Sequence, residues 1–179
     1  GVVVAALPPG ARLVYVTPSH QFPLGTTMSL RRRLELIAWC ERHDALVIED
    51  DYDSEFRFTE RPLDPLQSLD RTGRVVYVGS FSKTMHPALR LGFVDGHGDP
   101  VLEEAMATFI ERGELARHLR RTRRRYRQRH DTLVAAVESH LGEWFEPLPA
   151  GAGLHIAARL RPGVELRLEE ATRAAARRR

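Results

Sequence analysis

The chain has 179 residues and a mass of 20.3 kDa, room for one domain or one domain plus a fragment. With 42% hydrophobic and 28% charged residues it is neither disordered nor collagen-like, and no apolar run approaches the roughly 20 residues that cross a bilayer. The net charge of +3 does not compel a polyanionic partner, and the single cysteine, Cys40, excludes an internal disulfide or a multi-cysteine zinc site and fits a reducing cytoplasm.

The N-terminal stretch Gly1-Val2-Val3-Val4-Ala5-Ala6-Leu7 lacks Met and a basic leader, so it reads as neither a signal peptide nor a natural start. Residues 13–17, apolar and β-branched up to Pro18, predict a buried strand. Residues 19–27 hold Pro23 and Gly25 and predict a loop. Ser29 then caps a helix of about fifteen residues, with Leu30, Leu34, Ile37 and Ala38 on one face. A second buried strand over 45–49 enters the acidic run Glu49-Asp50-Asp51-Tyr52-Asp53, a third spans 74–79 and a fourth 89–94. Strands alternating with helices or long connections imply the α/β class with a mostly parallel sheet. Residues 101–141 are helical in period, with Leu115, Leu119, Leu133, Val134 and Val137 on the apolar side and a break at Gly113. Gly151-Ala152-Gly153 marks a turn, 154–160 a strand, and 164–179 the start of a helix.

Among the 27 basic residues only Lys83 is a lysine; the other 26 are arginines. A drift toward arginine replaces surface ammonium groups at little cost, but a nucleophilic amine cannot follow, because guanidinium stays protonated. Lys83 is therefore a candidate for amine chemistry. It lies in Ser80-Phe81-Ser82-Lys83-Thr84, followed by Arg90, at the C-terminal end of a predicted strand, where open α/β sheets place ligands. Hydroxyls, an amine and a guanidinium together can surround a phosphate ester and a carbonyl. A P-loop is excluded, since Ser82 stands where that motif needs glycine; a plain surface turn is the competing reading. In the acidic run, one carboxylate could hold a protonated pyridine nitrogen while the Tyr52 hydroxyl meets a phenolic oxygen. Alternatively, Asp50, Asp51 and Asp53 are hard oxygen ligands for magnesium, or simply an acidic loop.

Three ordered stretches carry a resemblance: Val16-Thr17-Pro18-Ser19-His20-Gln21-Phe22-Pro23-Leu24-Gly25, Ile48-Glu49-Asp50-Asp51-Tyr52-Asp53-Ser54-Glu55-Phe56, and Gly79 to Lys83 with Arg90-Leu91-Gly92-Phe93. They resemble the aminotransferase-like domain of MocR-type regulators, a GntR subgroup, which has the fold type I (class I/II) pyridoxal-phosphate enzyme fold. The resemblance implies that Lys83 forms the internal aldimine with pyridoxal 5′-phosphate. It also implies that Asp50 pairs with the ring nitrogen, with Asp51 the alternative if the register slips by one. Tyr52 would contact the ring hydroxyl oxygen, and Ser80, Ser82 and Arg90 the phosphate. Related aminotransferases have His-Asn-Pro-Thr-Gly near His20, leaving Gln21 a weak stand-in for their asparagine. A complete domain of this class is about twice as long, so the resemblance implies a partial large domain over 1–98, linking helices over 99–150 and the beginning of a small C-terminal domain over 151–179. The aromatic residue stacking on the cofactor, the winged helix-turn-helix that binds DNA and the arginine for a substrate carboxylate are expected outside this sequence, and activity of this chain alone is not expected.

Residues 117–129 hold eight arginines, which read as a solvated helix face or subunit contact rather than a nucleic-acid site. The eight histidines show no shared ligand spacing, so no metal site is argued from them, and Cys40 reads as core. The expected protein is the effector-sensing part of a cytoplasmic, homodimeric regulator that takes an amine or amino acid and reaches DNA only through another domain. The alternatives are a fragment of a working aminotransferase or a remnant that no longer binds cofactor.

Overall fold

The computed structural model describes residues 2–57, 64–89, 91–94, 100–148 and 151–164. Strands β1 (Leu13–Val16), β2 (Leu46–Asp51), β3 (Val75–Ser80) and β4 (Gly92–Val94) form one sheet in that order. The first three are parallel and β4 runs antiparallel to β3, as a mostly parallel sheet requires. Helix α1 (Leu30–His43) connects β1 to β2, and the short α2 (Leu66–Leu69) precedes β3.

Helix α1 starts where expected. The Ser29 hydroxyl accepts from the Arg32 amide at 3.4 Å, and Asp44 ends the helix in the left-handed region at φ 49°. Its buried face differs from the expected one. Leu36, Ile37 and Cys40 enter the core with Val14, Val16, Ala45, Val47 and Leu66, whereas Leu30 and Leu34 are about half exposed. The reason is Arg33, which occupies the buried stripe one turn before Ile37. Its guanidinium is fully buried and donates to the carbonyls of Pro18, Met28 and Asp64, each at 3.0 Å. Glu49, also fully buried, lies 3.7 Å away and accepts from the Leu66 and Gln67 amides. A charge at a core position thus disguises the helix face from a hydrophobicity pattern.

The strands expected to be buried alternate instead. In β1, Val14 and Val16 are buried while Leu13 and Tyr15 point outward; in β2, Val47, Glu49 and Asp51 are buried while Leu46 is exposed. Only one face of these strands is covered by α1.

Helices α3 (Pro100–Glu111) and α4 (Glu114–Leu141) meet at Gly113, whose φ of 69° makes the expected break. Half-buried His118, Thr122 and Tyr126 mark the inner side of α4, and the eight arginines of 117–129 are exposed; Leu133, expected on the apolar side, is exposed too. A second, antiparallel sheet pairs β5 (Phe145–Pro147) with β6 (Ala158–Leu160). The expected strand over 154–160 is confined to its last three residues because Ala152 bridges Arg57 and Leu154 bonds Asp53 instead. The helix expected beyond residue 164 lies outside the described residues.

Candidate functional site

The acidic run leaves β2 with its carboxylates sent in three directions. Asp50 pairs with Val78 in the β2–β3 register, and Tyr15 pairs with Ile48, so Tyr15, Ile48, Asp50, Val78 and Ser80 share the outward face of the sheet. The Tyr15 hydroxyl donates to Asp50 Oδ2. That bond, followed by burial, pushes the Tyr15 phenol up to about 12. Asp50 has no ion pair among the described residues, so its carboxylate retains capacity for a further cationic donor.

Asp51 faces the other way. Buried, it accepts from the Tyr77 hydroxyl at 2.7 Å and from the Ser54 hydroxyl and amide at 2.6 and 3.2 Å. Asp53 turns to His20, whose Nδ1 lies 2.9 Å from Oδ2, and to the Leu154 amide at 3.0 Å. These separate partners leave no group of Asp50, Asp51 and Asp53 suited to one magnesium ion among the described residues. Tyr52 donates to the His20 carbonyl at 2.9 Å. Burial, then the carboxylates of Asp53 and Asp50, raise its pKa and keep it a neutral donor.

Ser80 ends β3, and the chain turns at once: the Ser82 amide donates to Ser80 Oγ at 3.1 Å and the Met85 amide to the Phe81 carbonyl at 2.8 Å. A Cβ on Gly79 would fall 2.1 Å from the Phe93 ring on β4, so a larger residue there would push that ring aside. Lys83 sits in this turn, exposed, with no hydrogen bond or ion pair among the described residues. Next to it, buried Thr84 presents its carbonyl to His118 Nε2 on α4 at 2.7 Å. Tyr126, two turns further along α4, packs edge-on against buried Phe56 at 4.8 Å between ring centroids. One helix therefore braces both the Lys83 turn and the loop that follows the acidic run.

The structure thus brings Asp50, Ser80, Ser82 and Lys83 to the C-terminal edge of two adjacent parallel strands, the place where open α/β sheets hold ligands. Tyr52 lies beside that edge, turned toward His20. Arg90 lies outside the described residues. Gln21 is occupied within its own loop, its Oε1 accepting from the Leu24 amide at 3.3 Å and its Nε2 donating to the Phe22 carbonyl. The sequence reading missed Tyr15, because a tyrosine inside an apolar run looks like core, and it missed the meeting of His20 with His155, whose rings come from distant parts of the chain and pack tilted, with centroids 4.1 Å apart.

No family model matches the chain. It is 42% identical over 174 residues to the probable rhizopine catabolism regulatory protein MocR of Rhizobium meliloti, covering 88% of this chain and 35% of that protein. It is 44% identical over 186 residues to the uncharacterized HTH-type transcriptional regulator YhdI of Bacillus subtilis, covering 92% and 38%. The chain is a homologue of the MocR-type regulators. It spans little more than a third of the length of these two. The fold of this MocR homologue is that of the fold type I aminotransferases. The kynurenine aminotransferase of Pyrococcus horikoshii, solved in complex with PMP, superposes with a TM-score of 0.76 at 28% identity, over 93% of this chain and 45% of that one.

Proposed function

We propose that this chain forms part of the pyridoxal-phosphate-binding, effector-sensing domain of a MocR-type regulator. The observation that carries the reading is the shared outward face and strand edge of Asp50 and Ser80, with Lys83 in the turn that follows. The donor set fits the cofactor: a carboxylate with spare accepting capacity, two hydroxyls and an amine. When bound, pyridoxal phosphate supplies a carbonyl that condenses with amines and a ring that withdraws electrons from the adjacent bonds.

Each residue has a distinct task. Asp50, held by Tyr15, would accept a hydrogen bond from the protonated ring nitrogen and keep it charged. Ser80 and Ser82 donate to the phosphate, with Arg90 as the charged fork. Tyr52 lies beside the place for the ring oxygen and would reach it by turning its hydroxyl proton away from the His20 carbonyl. Lys83 would hold the cofactor through its carbonyl, for which a small amine or amino acid would compete. Residues 1–98 are assigned to the partial large domain that carries this wall, 99–150 to linking helices and 151–179 to the beginning of a smaller domain. Dimer formation, DNA binding through another segment and a cytoplasmic setting belong to the same proposal; no described helix is long and apolar enough to cross a membrane.

The test is the visible spectrum during titration with pyridoxal phosphate. A new absorption band, lost in Lys83→Ala and formed with weaker affinity in Asp50→Asn, is expected. No band at any cofactor concentration overturns the reading, and turnover of an amino donor to its keto acid would replace the sensor with an enzyme.

A further inference from the structure

The contacts above leave one polar cluster unused. His20 and Asp53 are almost fully buried and His155 partly so. One ligand atom from each lies within 4.8 Å of the others. His20 Nδ1 lies 2.9 Å from Asp53 Oδ2, so with the ring proton on Nε2 these two atoms can face one cation. Nε2 of His20 and Nε2 of His155 are both buried with no hydrogen-bond partner. A buried ring nitrogen on His155 that meets no donor is costly unless a cation satisfies it.

We infer that His20, His155 and Asp53 form a binding site for a divalent transition-metal ion of the zinc class. Two imidazoles and one carboxylate match such ions better than magnesium or calcium, which prefer all-oxygen shells. Zinc bonds of about 2.0–2.1 Å place tetrahedral ligand atoms roughly 3.3 Å apart, so the cluster closes by at most about 1.5 Å on binding. His155, with its partial exposure, has the room to make that movement.

The site would act as a clamp. His20 belongs to the loop after β1, Asp53 to the loop after β2, and His155 to the segment entering the second sheet. Those three pieces already touch: the Gly153 amide donates to the Phe56 carbonyl at 2.7 Å, Ala152 bridges Arg57, and a Cβ on Gly153 would fall 1.7 Å from His20 Nδ1. A metal ion adds a bond between the C-terminal segment and the loops that border the Lys83 edge.

The proposal is tested on chelator-stripped protein without added pyridoxal phosphate, so its failure is separate from failure of the cofactor reading. Calorimetric titration with Zn2+ is expected to give one equivalent per chain, with affinity at least tenfold weaker in His155→Gln at unchanged far-ultraviolet circular dichroism. A second measurement needs no variant: Zn2+ is expected to protect His155 of the wild-type chain from diethyl pyrocarbonate, read by mass spectrometry. No uptake, uptake equal in wild type and His155→Gln, or His155 modified equally with and without Zn2+ each overturns the site.

Discussion

The two faces of the four-stranded sheet are built from the same short strands and do opposite work. On one face Val14, Val16 and Val47 meet Leu36, Ile37 and Cys40 of α1 in a closed core, with Glu49 and Asp51 fully partnered among them. On the other, Leu13 and Tyr15 are 55% and 62% exposed, and Asp50 has a single side-chain partner, Tyr15. Parallel sheets are ordinarily covered on both sides. The first face therefore specifies stability within this chain, and the second is the surface on which cofactor and further structure are proposed to meet. Adjacent aspartates, one on each face, carry the difference.

Substitutions that separate the faces sharpen this contrast. The largest effect is expected at Arg33→Met, which strands the Glu49 carboxylate in the core and should lower stability by about 3–5 kcal/mol in urea unfolding. Leu36→Ala should cost about 2–5 kcal/mol by opening a cavity, whereas Leu34→Ala, two residues earlier on the same helix, should stay within about 0.5 kcal/mol. Equal costs for the two leucines would break the assignment of the α1 face. Asp51→Asn disturbs three hydrogen bonds and should cost about 1–3 kcal/mol, while Asp50→Asn should leave the urea midpoint nearly unchanged and weaken only cofactor uptake.

The smallest effect is read by pH. A phenol held neutral by an accepting carboxylate has its folded pKa raised, so its contribution is complete below about pH 10 and disappears as pH climbs through about 12. Ultraviolet difference titration should find the Tyr15 transition near 12 in the wild type and closer to 10 in Asp50→Asn. An unchanged transition would remove Tyr15 from the face on which Asp50 lies.

The strands, the Ser29 cap, the Gly113 break and the grouping of Ser80 to Lys83 at a strand end were legible because each depends on local chemistry: β-branched runs, a capping hydroxyl, a glycine, a turn. The buried stripe of α1 was not, since Arg33 becomes a core residue only through carbonyls supplied by Pro18, Met28 and Asp64 and a carboxylate supplied by Glu49. Alternation in β1 and β2 was hidden for a related reason: a strand apolar on both sides has no pattern to show which side will be covered. The spacing of histidines carries no sign that His20 and His155 meet, because the Gly153 turn that joins them is a tertiary contact.

The order of the strands has a practical consequence. Among the described residues β1 and β4 are the outermost strands, each hydrogen-bonded to a neighbour on one side alone. Such borders are templates for intermolecular strand addition, and here the apolar Leu13 and Tyr15 flank one of them. Expressed by itself, this polypeptide should self-associate as its concentration rises, and lysine or proline placed along the 13–16 border should be the most economical way to keep it dispersed.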